Sequence, residues 1–161
     1  MRDARVDKMA HNIVNYSCNV QPGEMVLIES FGNHNYDLVK ALVREVYAAG
    51  GSPFLWLKTM ELQRELLMQC SREQLKVMEE VDSLMMSHMD VYIRVRGEEN
   101  TSQMSDVPAE NMADYAAIYQ RPVHSRRSTD SKWCVMHYPT DGMAQAECMS
   151  MEALEDYFFE V

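Results

Sequence analysis

Four short apolar runs, each separated from the next by a helical pattern, constrain the fold of this chain more than any other feature. They lie at residues 25–28, 53–57, 91–95 and 133–137. Short apolar runs bounded by turn residues indicate strands that are buried on both sides. Strands that alternate with helices predict an α/β fold, with a mostly parallel sheet of about four or more strands and helices on both faces.

The helices between these runs follow from apolar spacing and from capping residues. Leu38, Leu42 and Val46 lie on one stripe of the second helix, and two glycines after Ala49 end it. Ser71 opens a later helix as the first residue of a capping box. The other helices are predicted at residues 6–17, 61–68 and 108–120, and after Ser150. Residues 124–132 are expected to form a solvated connection, and residues 143–146 a short loop.

Charge and composition limit the classes of function. The chain has 161 residues, of which 47% are hydrophobic, so it can form one domain with a substantial core. Its formal net charge of -10 argues against nucleic-acid or anionic-membrane partners, which would repel it. No apolar run is long enough for a membrane span, and the first residues lack a signal core, so a cytoplasmic protein is expected. The four cysteines form no C-x-x-C pair and are expected to be reduced.

Common catalytic motifs do not occur in the sequence, including the dinucleotide fingerprint, the P-loop, the hydrolase elbow and H-E-x-x-H. Ligands of parallel sheets usually bind beyond the carboxyl ends of the strands. His34, Glu98, Glu99 and His137 follow or end predicted strands, so a metal or acid–base site formed by them is one hypothesis. No pair has a helical ligand spacing, and the favoured interpretation is a solvated Glu98-Glu99 loop and a hydrogen-bonded His137. No catalytic, cofactor-binding or metal-binding residue is therefore assigned.

The last helix presents an apolar face that continues to the end of the sequence. Leu154, Tyr157, Phe158 and Val161 have the i, i+3, i+4, i+7 spacing of a single helical face. No glycine cap or polar tail follows. We expect this face to pack against a part of the protein beyond Val161, or to support self-association.

Several stretches share their order and spacing with one family of enzymes. They are residues 15–28, 41–51, 93–100 and, from Trp133 through Tyr138-Pro139-Thr140 to Phe159, residues 133–159. In these stretches the sequence resembles the thermophilic metallo-aminopeptidases of the AmpS or aminopeptidase T type. The resemblance covers nearly the whole chain.

The resemblance implies an exopeptidase that releases N-terminal amino acids from peptides with two divalent metal ions, of the zinc or cobalt type. Such enzymes have an N-terminal α/β domain, a separate C-terminal domain that carries the metal ligands, and a dimeric assembly. Residues 1–161 would then be a single N-terminal domain without the catalytic domain. On its own it would be inactive, and in the whole homodimer it would help to wall the cavity for the peptide substrate.

Two other functions fit the residues without the resemblance. One is a free-standing module that binds a small ligand at the strand ends, around residues 30–35, residues 97–100 and His137. The other is an assembly module that associates with itself and uses neither ligand nor metal.

Overall fold

The computed structural model describes residues 3–160, and all side chains among them except those of residues 127 and 128. The strands are β1 (Met25–Phe31), β2 (Ser52–Lys58), β3 (Val91–Arg96) and β4 (Lys132–His137). The α-helices are α1 (Ala4–Asn12), α2 (Tyr36–Ala48), α3 (Met60–Met68), α4 (Arg72–Ser87), α5 (Ala109–Asp114), α6 (Arg121–Asp130), α7 (Asp141–Ala146) and α8 (Met151–Glu160). Two π-helical segments, Ile13–Ser17 and Tyr115–Gln120, extend α1 and join α5 to α6. The predicted α/β fold is confirmed.

The four strands form one parallel sheet in the order β2-β1-β3-β4. Its register aligns the last residue of β1, Phe31, with Lys58 of β2 and Arg96 of β3. The carboxyl ends of three strands therefore meet at one edge of the sheet. β1 continues for three residues beyond the predicted run, and these residues, Glu29, Ser30 and Phe31, are also buried.

The two faces of the sheet have different compositions. The apolar face, defined by Val26, Ile28, Val91, Ile93 and Val95, packs into one core cluster with residues of α1 and α2. Alternate residues point to the opposite side, which we call the polar face. It is defined by Leu27, Glu29, Tyr92 and Arg94, and its Leu27 and Tyr92 belong to a second core cluster with residues of α3, α4 and α6.

Capping residues behave as their sequence patterns predict at two helices. The Ser71 hydroxyl accepts a hydrogen bond from the Gln74 amide at 3.1 Å at the start of α4. The Ser150 hydroxyl accepts one from the Ala153 amide at 3.2 Å at the start of α8.

Two predicted loops are helices instead. Most of residues 124–132 lies in α6, so the predicted connection is a helix, although Ser125, Arg126, Thr129 and Asp130 are exposed as expected. Pro122 is the second residue of α6, and the helical backbone of the π-helical segment Tyr115–Gln120 continues through it. Residues 143–146 lie in α7, which Thr140 caps by accepting from the Met143 amide at 3.3 Å.

The buried face of α8 differs from the predicted one. The prediction placed on one face Leu154, Tyr157, Phe158 and Val161. Leu154 is buried, but Tyr157 is 64% exposed. Phe159 was not predicted to face inward, but it packs against the first core cluster. The Arg5 guanidinium lies over it, 4.7 Å from the centre of the Phe159 ring. Val161 lies outside the described residues.

No helix within residues 3–160 is both long and apolar enough to cross a membrane.

Candidate functional site

A polar cavity of about 170 Å³ lies at the carboxyl ends of β1, β2 and β3, on the polar face of the sheet. Parallel register brings its charged residues together, since Glu29 pairs with Arg94 and Phe31 with Lys58. The remaining walls are formed by helices α3, α5 and α6 and by the π-helical segment Tyr115–Gln120. The full lining is Glu29, Phe31, Lys58, Met60, Gln63, Arg94, Arg96, Glu98, Met104, Met112, Tyr115, Tyr119, Gln120 and His124.

Glu29 is the buried centre of this charge cluster, with its side chain only 2% exposed. Lys58 Nζ donates a hydrogen bond to Glu29 Oε1 at 2.8 Å, and the Tyr92 hydroxyl donates to Oε2. Burial acts to raise the pKa of Glu29, but the charges of Lys58 and Arg94 and the two hydrogen bonds outweigh it, so the pKa lies below its ordinary value of 4.5. Glu29 is therefore a carboxylate at neutral pH.

Lys58 links the sheet to the helices that cover it. Its amino group lies 4.5 Å from the centre of the Trp56 ring and donates to the Tyr119 hydroxyl at 3.3 Å. Tyr119 in turn donates to Asp82 on α4. Burial, with the hydrogen bond and charge of Asp82, raises the pKa of Tyr119, so its hydroxyl keeps its proton. The result is a continuous hydrogen-bonded path from Asp82 to Glu29.

Arg94 is less completely paired than Lys58. Its side chain is 16% exposed, and its guanidinium lies 4.7 Å from the centre of the Phe31 ring. Arg94 Nε is 3.5 Å from Glu29 Oε2, yet it is buried without a hydrogen-bond partner among the described residues. The cavity thus contains an arginine with unused donor capacity.

Gln63 contributes a second unpaired group to the same cavity. Its Nε2 donates to the Tyr115 hydroxyl at 2.7 Å, whereas its Oε1 is buried with no hydrogen-bond partner in the described part of the chain. Burial raises the pKa of Tyr115 to about 12, so this hydroxyl is also neutral. The cavity lining therefore includes a neutral amide as well as cationic groups.

The cavity lining has an excess of positive charge. Its cations are Lys58, Arg94 and Arg96, and its carboxylates are Glu29 and Glu98. Arg96 Nε donates to Glu98 Oε1 at 3.0 Å. An excess cation in a chain of net charge -10 favours an anionic ligand at this position.

The candidate residues from the sequence are only partly brought together. His34 Nε2 lies 2.8 Å from Glu99 Oε1, at the edge of a separate cavity of about 30 Å³ that Glu98 also lines. Glu98 is only 10% exposed and pairs with Arg96, whereas Glu99 is 45% exposed, so the predicted solvated loop is confirmed for Glu99 but not for Glu98. His137 is exposed at the end of β4.

These residues do not fit a two-metal centre. In the described part of the chain, no three side chains of His, Cys, Asp or Glu lie close enough together to hold a metal ion. His34 and Glu99 supply one imidazole and one carboxylate, which are fewer ligands than a single stable site needs.

Sequence reasoning missed the charged residues of the cavity. Glu29, Lys58 and Arg94 each lie within or at the end of an apolar strand, where an ionisable side chain needs a partner if it is buried. An ionisable residue in an apolar strand was therefore the sequence signal that could have indicated these three residues. The sequence alone did not show that the three side chains share one face and are covered by helices.

The family relationship is decided by a match along almost the entire sequence. A family model described as thermophilic metalloprotease (M29) matches residues 2–161. The chain belongs to this family. The match confirms the resemblance to thermophilic metallo-aminopeptidases.

A solved structure supports the α/β fold of this M29 member. Wild-type AmpT from Thermus thermophilus is similar with a TM-score of 0.71 and 18% sequence identity, over 97% of this chain and 42% of AmpT. The chain thus spans less than half the length of AmpT, and identity this low supports the fold alone. CurK enoyl reductase aligns with a TM-score of 0.35 and 11% identity, over 96% of this chain and 48% of CurK. No curated protein sequence matches the chain significantly.

Proposed function

We propose that this chain is the non-catalytic N-terminal α/β domain of a metal-dependent aminopeptidase that releases N-terminal amino acids from peptides. The observation that carries the proposal is the M29 family match over residues 2–161. In a peptidase of this kind, two bound metal ions would supply Lewis-acid chemistry and an activated water molecule. The ligands for two such ions, of the zinc or cobalt type, would come from another part of the protein.

Within the whole cytoplasmic enzyme, the domain would help to wall the substrate cavity and support a homodimer. An apolar groove of about 220 Å³ between α3 and its neighbours supports this role. Leu57, Leu62 and Leu66 line the groove and are 53%, 72% and 38% exposed. Contiguous exposed apolar surface of this kind is typical of protein–protein contacts.

A peptidase assay on the 161-residue chain tests the non-catalytic role. With zinc or cobalt added and a chromogenic amino-acid anilide as substrate, we expect no turnover above that of the metal alone. The matched control is the double variant His34→Ala/Glu99→Ala, which removes a histidine–carboxylate pair at the strand ends. Metal-dependent turnover by the original chain that this variant loses would overturn the proposal.

Reading the coding sequence beyond the codon for Val161 tests the domain assignment. An open frame that encodes clustered Glu, His and Asp residues is the expected result. A stop codon directly after Val161 would contradict the assignment to a larger peptidase.

Self-association through α8 can be tested with two matched tyrosines. Tyr157 on α8 and Tyr47 on α2 are 64% and 65% exposed. We expect sedimentation to detect a concentration-dependent dimer that Tyr157→Ser weakens and Tyr47→Ser does not. A monomer at all concentrations, or equal behaviour of the two variants, would argue against an α8 interface.

The second candidate function is a free-standing small-ligand binding module, and the polar cavity favours it. Under this function the chain is a stable monomer that binds a ligand and turns nothing over. Self-association without ligand or metal would instead favour the assembly module. The ligand chemistry of the cavity can be examined independently of either function.

A further inference from the structure

We propose that the polar cavity binds a small molecule through a carboxylate group, with Arg94 as its main hydrogen-bond donor. The ligand class is a carboxylate about the size of one amino acid, either free or at the C-terminus of a short peptide. This inference does not rest on the aminopeptidase proposal, because it concerns binding at residues of this domain and no catalytic step.

The charges of the cavity identify Arg94 as the available cation. Lys58 Nζ is 2.8 Å from Glu29, and Arg96 Nε is 3.0 Å from Glu98, so each of these cations has its own carboxylate. Glu29 already accepts hydrogen bonds from Lys58 and Tyr92, which leaves Arg94 at 3.5 Å as its weakest partner. A guanidinium has five donors in a planar fork that matches a carboxylate in two-point contact.

Arg94 is also held in position to meet a ligand. Its guanidinium lies over the Phe31 ring at 4.7 Å, which restricts its orientation. Its Nε is buried without a partner in the described residues. A buried donor without an acceptor is unfavourable, so an anion that supplies the acceptor gains the energy of a new charge-assisted bond.

The second polar contact comes from Gln63. One atom of its amide is hydrogen-bonded to Tyr115, and the other is buried without a partner among residues 3–160. Whichever way the amide is turned, one of its polar atoms remains for a ligand. As oriented, that atom is an acceptor, which suits an ammonium or amide N–H of the ligand.

The size of the cavity limits the ligand to a small molecule. A volume of about 170 Å³ corresponds to roughly six water molecules, at about 30 Å³ each in the liquid. It is smaller than the ~300–1,000 Å³ of pockets for drug-sized ligands. A volume of this size suits a carboxylate with a few further heavy atoms better than a nucleotide.

Calorimetric titration of the 161-residue chain at low ionic strength tests the inference. The probes are acetate and glycine, their neutral amides acetamide and glycinamide, and the dipeptide glycylglycine. We expect saturable binding of the carboxylates that is at least about tenfold tighter than that of the amides, since only the carboxylates form charge-assisted bonds. Glycine binding tighter than glycylglycine identifies a free amino acid as the ligand, and the reverse order identifies a peptide C-terminus.

Two arginine variants assign the binding to the cavity. Arg94→Gln should weaken carboxylate binding about tenfold or more, whereas Glu29 keeps its contacts with Lys58 and Tyr92. Arg44→Gln is the matched control, because Arg44 lies on α2 and pairs with Asp7 at 3.0 Å, away from the cavity. If Arg94→Gln does not give a folded circular dichroism spectrum, Arg94→Lys replaces it and should weaken binding to a smaller extent.

Three results would overturn the inference. They are no saturable binding of any carboxylate up to about 10 mM, equal affinity for acetate and acetamide, and affinity unchanged by the folded Arg94 variant. None of these results affects the aminopeptidase proposal, which is tested by turnover and by the coding sequence.

Discussion

The two faces of the central strands show two different ways of stabilising one sheet. On the apolar face, Ile28 and Ile93 are fully buried against α1 and α2. On the polar face, the next residue of each strand is charged, and Glu29 and Arg94 are paired neighbours in the register. The apolar face therefore depends on volume and packing, and the polar face depends on charge balance.

The largest effect is expected from Glu29→Gln. The substitution leaves Lys58 and Arg94 without their buried carboxylate, and breaking a buried ion pair of this kind costs about 3–5 kcal/mol. Urea unfolding at neutral pH measures the loss of unfolding free energy. The double variant Glu29→Gln/Lys58→Met should lose less than the sum of its two single variants, because the groups are coupled. An additive result would show that the polar face is held by packing alone.

At acid pH, the original chain should lose its higher unfolding free energy relative to the Glu29→Gln variant. The pKa of Glu29 is lower in the folded chain than its ordinary value of 4.5, so the carboxylate stabilises the fold above about pH 4.5. That contribution is lost as the pH falls through the folded-state pKa. Unfolding curves of both proteins at several pH values between neutral and acidic conditions should converge in acid. A difference that is constant with pH would contradict the assignment of charge to Glu29.

The sequence predicted the apolar face much better than the polar face. The apolar runs at residues 25–28 and 91–95 are strands because nearly every side chain in them is hydrophobic, and this local property requires no knowledge of neighbours. Glu29 and Arg94 look in sequence like residues at the end of a strand or on a solvated side. Their side of the sheet is covered by α4, the π-helical segment Tyr115–Gln120 and α6, which are distant in sequence.

The same distinction applies to the candidate site. The rule that ligands bind at strand carboxyl ends directed attention to the region of His34 and Glu99, whose Nε2 and Oε1 atoms lie 2.8 Å apart. It could not show that the larger cavity lies beside them, because the lining includes Gln63, Tyr115 and other helical residues with no motif of their own.

A smaller effect is expected from Ile93→Val on the apolar face. Loss of one methylene from a fully buried isoleucine costs about 1 kcal/mol, through lost transfer energy and the small cavity left behind. The same urea experiment measures it. Since no ionisable group is removed, the effect should stay constant over the pH range in which the Glu29→Gln effect declines. A pH-dependent effect would mean that the two faces are not energetically separate.

The smallest change in unfolding free energy is expected from Arg44→Gln, which removes an exposed ion pair. It tests whether the polar face is stabilised by ion pairs in general or by the burial of its ion pair. Arg44 Nη2 lies 3.0 Å from Asp7 Oδ1, which is close to the 2.8 Å between Lys58 Nζ and Glu29 Oε1. However, the side chains of Arg44 and Asp7 are 44% and 32% exposed. Water and salt screen such a pair, so its removal should change the unfolding free energy by less than about 1 kcal/mol, and less still in high salt. Urea unfolding at two salt concentrations provides the measurement. If Arg44→Gln were as destabilising as Glu29→Gln, ion-pair distance rather than burial would determine the energy, and the distinction between the two faces would fail.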